Sequence, residues 1–140
     1  MNDKLFLSLM RTSAAHRARA RAAFDALGLT EGQPKVLYVL RARQGCVQRE
    51  LAAACQVREP TLTVLLRRLE EKGFVVKRHS MAPGSKNAFA VYLTEAGLSI
   101  SKEIDDIVES LEAESLRGFT EEEKALLFSL LSRAEENLKK

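Results

Sequence analysis

The chain has 140 residues, 46% of them hydrophobic, which is enough for one compact core with helices to spare. No apolar run approaches the length of a membrane span, and two cysteines, Cys46 and Cys55, are too few for a disulfide framework and match no zinc spacing. The net charge of +3 hides a gradient, from +3 over residues 1–40 and +6 over 41–90 to −6 over 91–140, the pattern of a polyanion-binding module joined to a part that does not touch the polyanion.

Residues 4–27 are rich in Ala, Leu and Arg, lack Gly and Pro, and predict a helix, with Gly28 placed as its C-terminal stop. Thr30 is expected to cap a second helix, with Gln33 as capping-box partner and Pro34 in the first turn. Val36, Leu37, Val39 and Leu40 form its buried stripe, and Gly45 ends the stretch. A short third helix is read from Gln48 to Cys55, with Leu51, Ala52 and Cys55 inward. A turn at Gln56-Val57-Arg58 leads into a fourth helix over residues 60–72. Its Leu62, Leu65, Leu66 and Leu69 repeat at i, i+3, i+4 and i+7, and Gly73 stops it.

The period then changes. Residues 74–78 and 89–93 are β-branched and aromatic, and the loop between them holds Pro83, Gly84, Ser85 and Asn87, so the pair reads as a β-hairpin. Thr94 caps the next helix, lined by Ile100, Ile104, Ile107 or Val108, and Leu111. Gly118 breaks the chain. Thr120 and Glu123 form a capping box for a last helix, with Leu126, Leu127, Leu130, Leu131, Ala134 and Leu138 expected inward. The order α-α-α-α-β-β-α-α predicts a mainly α fold with a small β-hairpin wing, a winged helix-turn-helix.

In such a unit the fourth helix shows one face to the core and the other to the major groove. Its outward face holds Pro60, Thr61, Thr63, Val64, Arg67, Arg68 and Glu71, and its first turn adds Arg58 and Glu59. Arg grips guanine through two hydrogen bonds, Glu accepts from cytosine, and threonine hydroxyls suit phosphate oxygens. On the hairpin Lys77, Arg78, His79 and Lys86 are candidates for the adjacent minor groove or backbone, with Lys86 best placed at the tip and Arg78 at the base. Gln48 and Arg49 open the third helix, whose free N–H groups favour a phosphate. The N-terminal run Arg11, His16, Arg17, Arg19 and Arg21 extends that positive field, is a solvated face, or pairs with an acidic tail.

These pieces resemble the MarR-type transcriptional regulators over nearly the whole chain. The resemblance rests on Leu29-Thr30-Glu31-Gly32-Gln33, Gln48-Arg49-Glu50-Leu51-Ala52, Thr61-Leu62-Thr63, Leu69-Glu70-Glu71-Lys72-Gly73-Phe74-Val75 and Val91-Tyr92-Leu93-Thr94-Glu95-Ala96-Gly97. Two positions depart from the pattern. Family wings usually carry an Asp-Arg pair near the tip, where this chain has Ser85-Lys86. The recognition helix often carries an arginine after the Thr-x-Thr step, where this chain has Val64, and contact with a thymine methyl is the physical alternative.

The resemblance implies a homodimer whose first and last helices interlock. Residues 1–29 are then an N-terminal dimerisation helix, 30–95 the DNA-binding lobe and 96–140 C-terminal dimerisation helices. Leu5, Phe6, Leu9, Met10, Leu127, Leu130 and Leu131 are the expected contacts. Two reading heads about one DNA turn apart imply a roughly palindromic double-stranded operator. The resemblance further implies a repressor released by a small aromatic molecule or a stress signal. The alternative is an architectural or protein-interaction module with no effector.

Family members that sense oxidants do so through a cysteine near the N-terminus, which is absent here. Cys46, close in sequence to Arg43 and Arg49, is the remaining redox candidate, on the expectation that those cations lower its pKa. With His16 and His79 the only histidines, no phosphate-binding glycine loop and no nucleophile–base pair, neither an enzyme nor a cofactor or metal is expected. Met1-Asn2-Asp3-Lys4-Leu5 carries no signal-peptide pattern, so the expected compartment is the cytoplasm.

Overall fold

The computed structural model describes residues 4–79 and 88–140. Among them run α1 (Leu5–Asp25), α2 (Gln33–Arg41), α3 (Gln48–Cys55), α4 (Glu59–Glu71), β1 (Val75–His79), β2 (Phe89–Leu93), α5 (Glu95–Ser115) and α6 (Glu121–Leu138). This is a winged helix-turn-helix flanked by helices, in the predicted order. Contacts divide the chain into two units, Met1–Val108 and Glu109–Lys140.

The core of the first unit follows from the helical periodicities. Val36, Leu37 and Leu40 of α2, Leu51, Ala52 and Cys55 of α3, and the four leucines of α4 are all buried. Val75, Val91 and Leu93 of the hairpin and Ile100 and Ile104 of α5 close the same cluster. Helix α1 contributes Phe24 from its C-terminal turn, while none of its residues is fully buried. Arg41 in the last turn of α2 ion-pairs with Asp105, tying the lobe to α5.

Three local details differ from the sequence expectation. Helix α2 begins at Gln33, because Gly32 before it has φ 90°, outside the helical region. Only half of the expected capping box forms: the Thr30 N–H donates to Gln33 Oε1 at 3.0 Å. In addition, β2 is paired on both sides. It runs antiparallel to β1 with Val75 opposite Leu93 and His79 opposite Phe89. On its other edge the Gly45 N–H donates to the Val91 carbonyl at 2.7 Å, and the Val91 N–H to the Cys46 carbonyl at 3.0 Å. The Gln44 side chain takes the Leu93 N–H at 3.0 Å. The chain entering α3 thus acts as a third, very short strand.

Thr94 locks α5 onto the end of β1. Its hydroxyl donates to the Gly73 carbonyl at 2.6 Å and accepts from the Gly97 N–H at 3.0 Å. Its own N–H donates to the Phe74 carbonyl at 3.0 Å. The first turn of α5 comes so close that a Cβ on Gly97 would lie 2.0 Å from the Phe74 oxygen.

In the second unit the predicted capping box of α6 is complete. Thr120 accepts from the Glu123 N–H at 3.1 Å and gives its own N–H to Glu123 Oε1 at 2.8 Å. None of the leucines expected inward is fully buried. No residue of α6 is buried, and Leu126, Leu130, Leu131 and Leu138 are exposed. An apolar stripe reports that a face seeks a cover, and nothing in this unit supplies it.

Candidate nucleic-acid interface

Helix α4 has the two faces that groove reading requires. Its leucines are buried, while Arg58 at the N-cap and Glu59, Pro60, Thr61, Thr63, Arg67 and Arg68 are exposed. Val64, expected on the outward face, is half-buried, so the position that departs from the family pattern leans toward the protein. The turn before α4 is held by Gln56 in the left-handed region at φ 58°. Helix α3 brings Gln48, half-buried, and Arg49, exposed, to its own first turn. Glu50 reaches back to the Val47 N–H at 3.4 Å to complete that turn.

The cations predicted on this lobe separate into exposed and engaged ones. Lys77 is engaged: its ammonium lies 3.6 Å from Glu70 of α4, with a side chain only 20% exposed, and 6.0 Å from the Phe89 ring centre. Arg78 lies on the other face of the strand, exposed, with its guanidinium 5.8 Å from the Tyr92 ring centre. His79 packs on Phe89 at 4.9 Å between ring centres. Lys86, predicted at the wing tip, lies outside the described residues.

Lys72 at the C-terminal end of α4 was not singled out in the sequence. Its ammonium donates at 2.8 Å to the Gly28 carbonyl and at 2.8 Å to Gln33 Oε1. Gln33 is buried, and the same Oε1 serves the Thr30 N–H. The far end of α4 is therefore pinned to the corner between α1 and α2. On α1, Arg21 pairs with Glu31 of its own unit at 3.3 Å. Beside that corner lies a cavity of about 320 Å³ with apolar walls from Ala20, Phe24, Leu29 and Pro34 and with Arg17 and Lys35 among its lining residues.

Cys46 is half-buried, and the expected lowering of its pKa is not found. Burial pushes the thiol up and Glu50 adds to the rise, while Arg43 opposes them without prevailing. Burial also raises Cys55. The thiolate that a redox role needs is disfavoured at both positions. Iodoacetamide should therefore modify Cys46 in the folded protein more slowly than a free thiol at neutral pH. Its pH–rate curve should have a midpoint above that of the unfolded chain. A midpoint below it would restore the redox candidate.

Among the described residues no helix is long and apolar enough to cross a membrane, and no cluster of His, Cys, Asp and Glu could hold a metal ion.

The MarR family model matches residues 29–82, the stretch that holds α2, α3, α4 and β1. Among solved structures, the chain is similar to the transcriptional regulator PA3341. The two share 33% identity over 97% of this chain and 98% of that one, with a TM-score of 0.86. MarR itself is 29% identical over 99% of this chain and 93% of its own, with a TM-score of 0.79. A MarR-family transcriptional regulator from Listeria monocytogenes, solved with a 26mer DNA, is 26% identical. That match covers 99% of this chain and 90% of the relative, with a TM-score of 0.86.

Proposed function

Because the chain belongs to the MarR family, we propose that it is a sequence-specific, DNA-binding transcriptional regulator whose α4 enters the major groove. The observation that carries this reading is the division of α4 into a buried leucine stripe and an exposed face bearing Arg58, Glu59, Thr61, Arg67 and Arg68. Arg58, Glu59 and Thr61, in the cap and first turn, meet base edges. Arg67, Arg68 and Arg49 hold phosphates, and Arg78 and Lys86 serve the flanking minor groove or backbone. The similar Listeria regulator was solved on DNA, which supports the assignment.

The protein acts as a homodimer. Leu5, Phe6, Leu9 and Met10 of α1 and Leu130 and Leu131 of α6 are too apolar to be left to water, and a second copy is the natural cover; Leu127 joins them. Residues 1–29 and 96–140 then serve dimerisation, and 30–95 form the DNA-binding lobe. A two-fold dimer reads a roughly palindromic operator in the cytoplasm. It represses until a small aromatic molecule releases it, and the cavity by Phe24 and Leu29, whose apolar walls are rimmed by charges of both signs (Arg17, Lys35, Asp25 and Glu31), suits such a ligand.

Binding to a selected palindrome and to random duplex, each titrated across salt, tests the reading. Arg58→Ala should weaken operator binding by about tenfold, the worth of one good base contact, and leave the dimer intact. Equal affinity of the wild type for palindrome and random duplex would replace the regulator with an architectural module.

A further inference from the structure

Thr63 carries one hydroxyl proton, and that proton is already committed. The hydroxyl donates to the Glu59 carbonyl one turn back at 3.0 Å. The same oxygen accepts from Gln48 Nε2 at 2.6 Å. A phosphate oxygen only accepts, so a bond from Thr63 to phosphate would require giving up the Glu59 bond. The Gln48 amide likewise spends one of its N–H groups inside the protein. Both residues have the polarity expected of DNA contacts, yet each is turned toward the other.

The place of this contact in the unit gives it a purpose. Helices α3 and α4 are joined covalently at one point, the turn at residues 56–58, and buried leucines fill the space between them. Gln48 is the first residue of α3, and Thr63 is the fifth of α4. Their hydrogen bond is a second tie between the helices, made by the end of α3 farthest along the chain from that turn. With two ties the angle between the helices is set. That angle decides whether the first turn of α3 and the first turn of α4 can meet one duplex at the same time.

We propose that Gln48 and Thr63 are positioning residues, an intramolecular brace that fixes α3 against α4, and are not themselves contacts to DNA. The proposal rests on the reading of α4 as the groove-entering helix. It leaves base reading to Arg58, Glu59 and Thr61 in the cap and first turn.

The test uses the full-length variants Thr63→Val, which keeps the shape and loses both bonds, Thr63→Ser, which keeps the hydroxyl, and Gln48→Met. Affinity for a palindrome selected by the wild type is measured across salt. Hydrogen exchange of the α3 amides is measured without DNA. Thr63→Val and Gln48→Met should each weaken the operator complex by about tenfold, with the double variant no weaker than the worse single one. The salt slope should not change, Thr63→Ser should bind as the wild type does, and α3 exchange should quicken in Thr63→Val and recover in Thr63→Ser. A salt slope lowered by about one unit in either single variant would mark a direct phosphate contact and overturn the brace. Additive losses in the double variant, or unchanged α3 exchange, would overturn it as well. If the wild type binds no duplex, the DNA-binding reading fails, and the exchange measurement still decides the brace.

Discussion

Replacing Gly97 with alanine is expected to destabilise the fold by about 2–3 kcal/mol, the upper part of the range for an overpacked core position. Alanine in a helix interior normally gains about 1 kcal/mol over glycine, so an ordinary helical site would respond in the opposite direction. Here the added methyl would lie 2.0 Å from the Phe74 oxygen and 3.0 Å from its carbonyl carbon. The obstacle is backbone, which has no rotamer to turn away. The first turn of α5 must therefore lift, and in lifting it stretches the Thr94 bonds to Gly73 and Phe74. Urea unfolding monitored by circular dichroism measures the effect, with a melting temperature lower by roughly 5–10 °C. A variant as stable as the wild type would mean that α5 does not approach β1 this closely. The consequence reaches function, because Thr94 and Gly97 seat α5 against the base of the hairpin.

The second large effect is expected at Gln33. Gln33→Leu keeps the volume and removes the acceptor shared by the Thr30 N–H and the Lys72 ammonium. Gln33 is buried, so the loss leaves the Thr30 donor without its partner and Lys72 with the Gly28 carbonyl alone. A cost of about 2 kcal/mol follows from losing one neutral and one charge-assisted hydrogen bond to a buried acceptor, discounted because Thr30 and Lys72 themselves reach water. Lys72→Met should cost less, because Lys72 is itself solvent-exposed and water takes up part of the loss. The two changes should be non-additive, with a coupling of about 1 kcal/mol in a double-mutant cycle by urea unfolding. Strict additivity would show that the pair does not act as one unit. Since Lys72 ends α4, the same cycle tests whether the corner beside the cavity holds the far end of the proposed reading helix.

Much of this was legible in the sequence, for reasons that can be named. The leucines of α4 announced a helix with one buried face because their spacing follows the helical period. The switch to β-branched and aromatic residues at Phe74 and Phe89 announced the hairpin. Thr94, and Thr120 with Glu123, cap where they were expected to, because a cap is a contact over three residues and depends on little else. The start of α2 lies two residues later than expected, because Gly32, which adopts φ 90° freely, takes the N-cap position in place of Thr30.

The site was legible by element but not by side chain. Lys77 and Arg78 are neighbours of like charge, and alternation along a strand says only that they face opposite ways. Which one is engaged depends on Glu70, a residue of another element. Cys46 had two arginines near it in sequence, yet burial and Glu50 outweigh the charge of Arg43.

By itself, the sequence determined the order of the elements, the apolar faces and the basic lobe beside the acidic tail. Those features follow from local propensity, periodicity and composition. Tertiary structure alone decided which polar groups remain available to a ligand. Thr63 is bound to Gln48, 15 residues away, and Lys72 to Gly28, 44 residues away. No local rule reaches that far, and a donor already held inside the protein is not free to hold DNA.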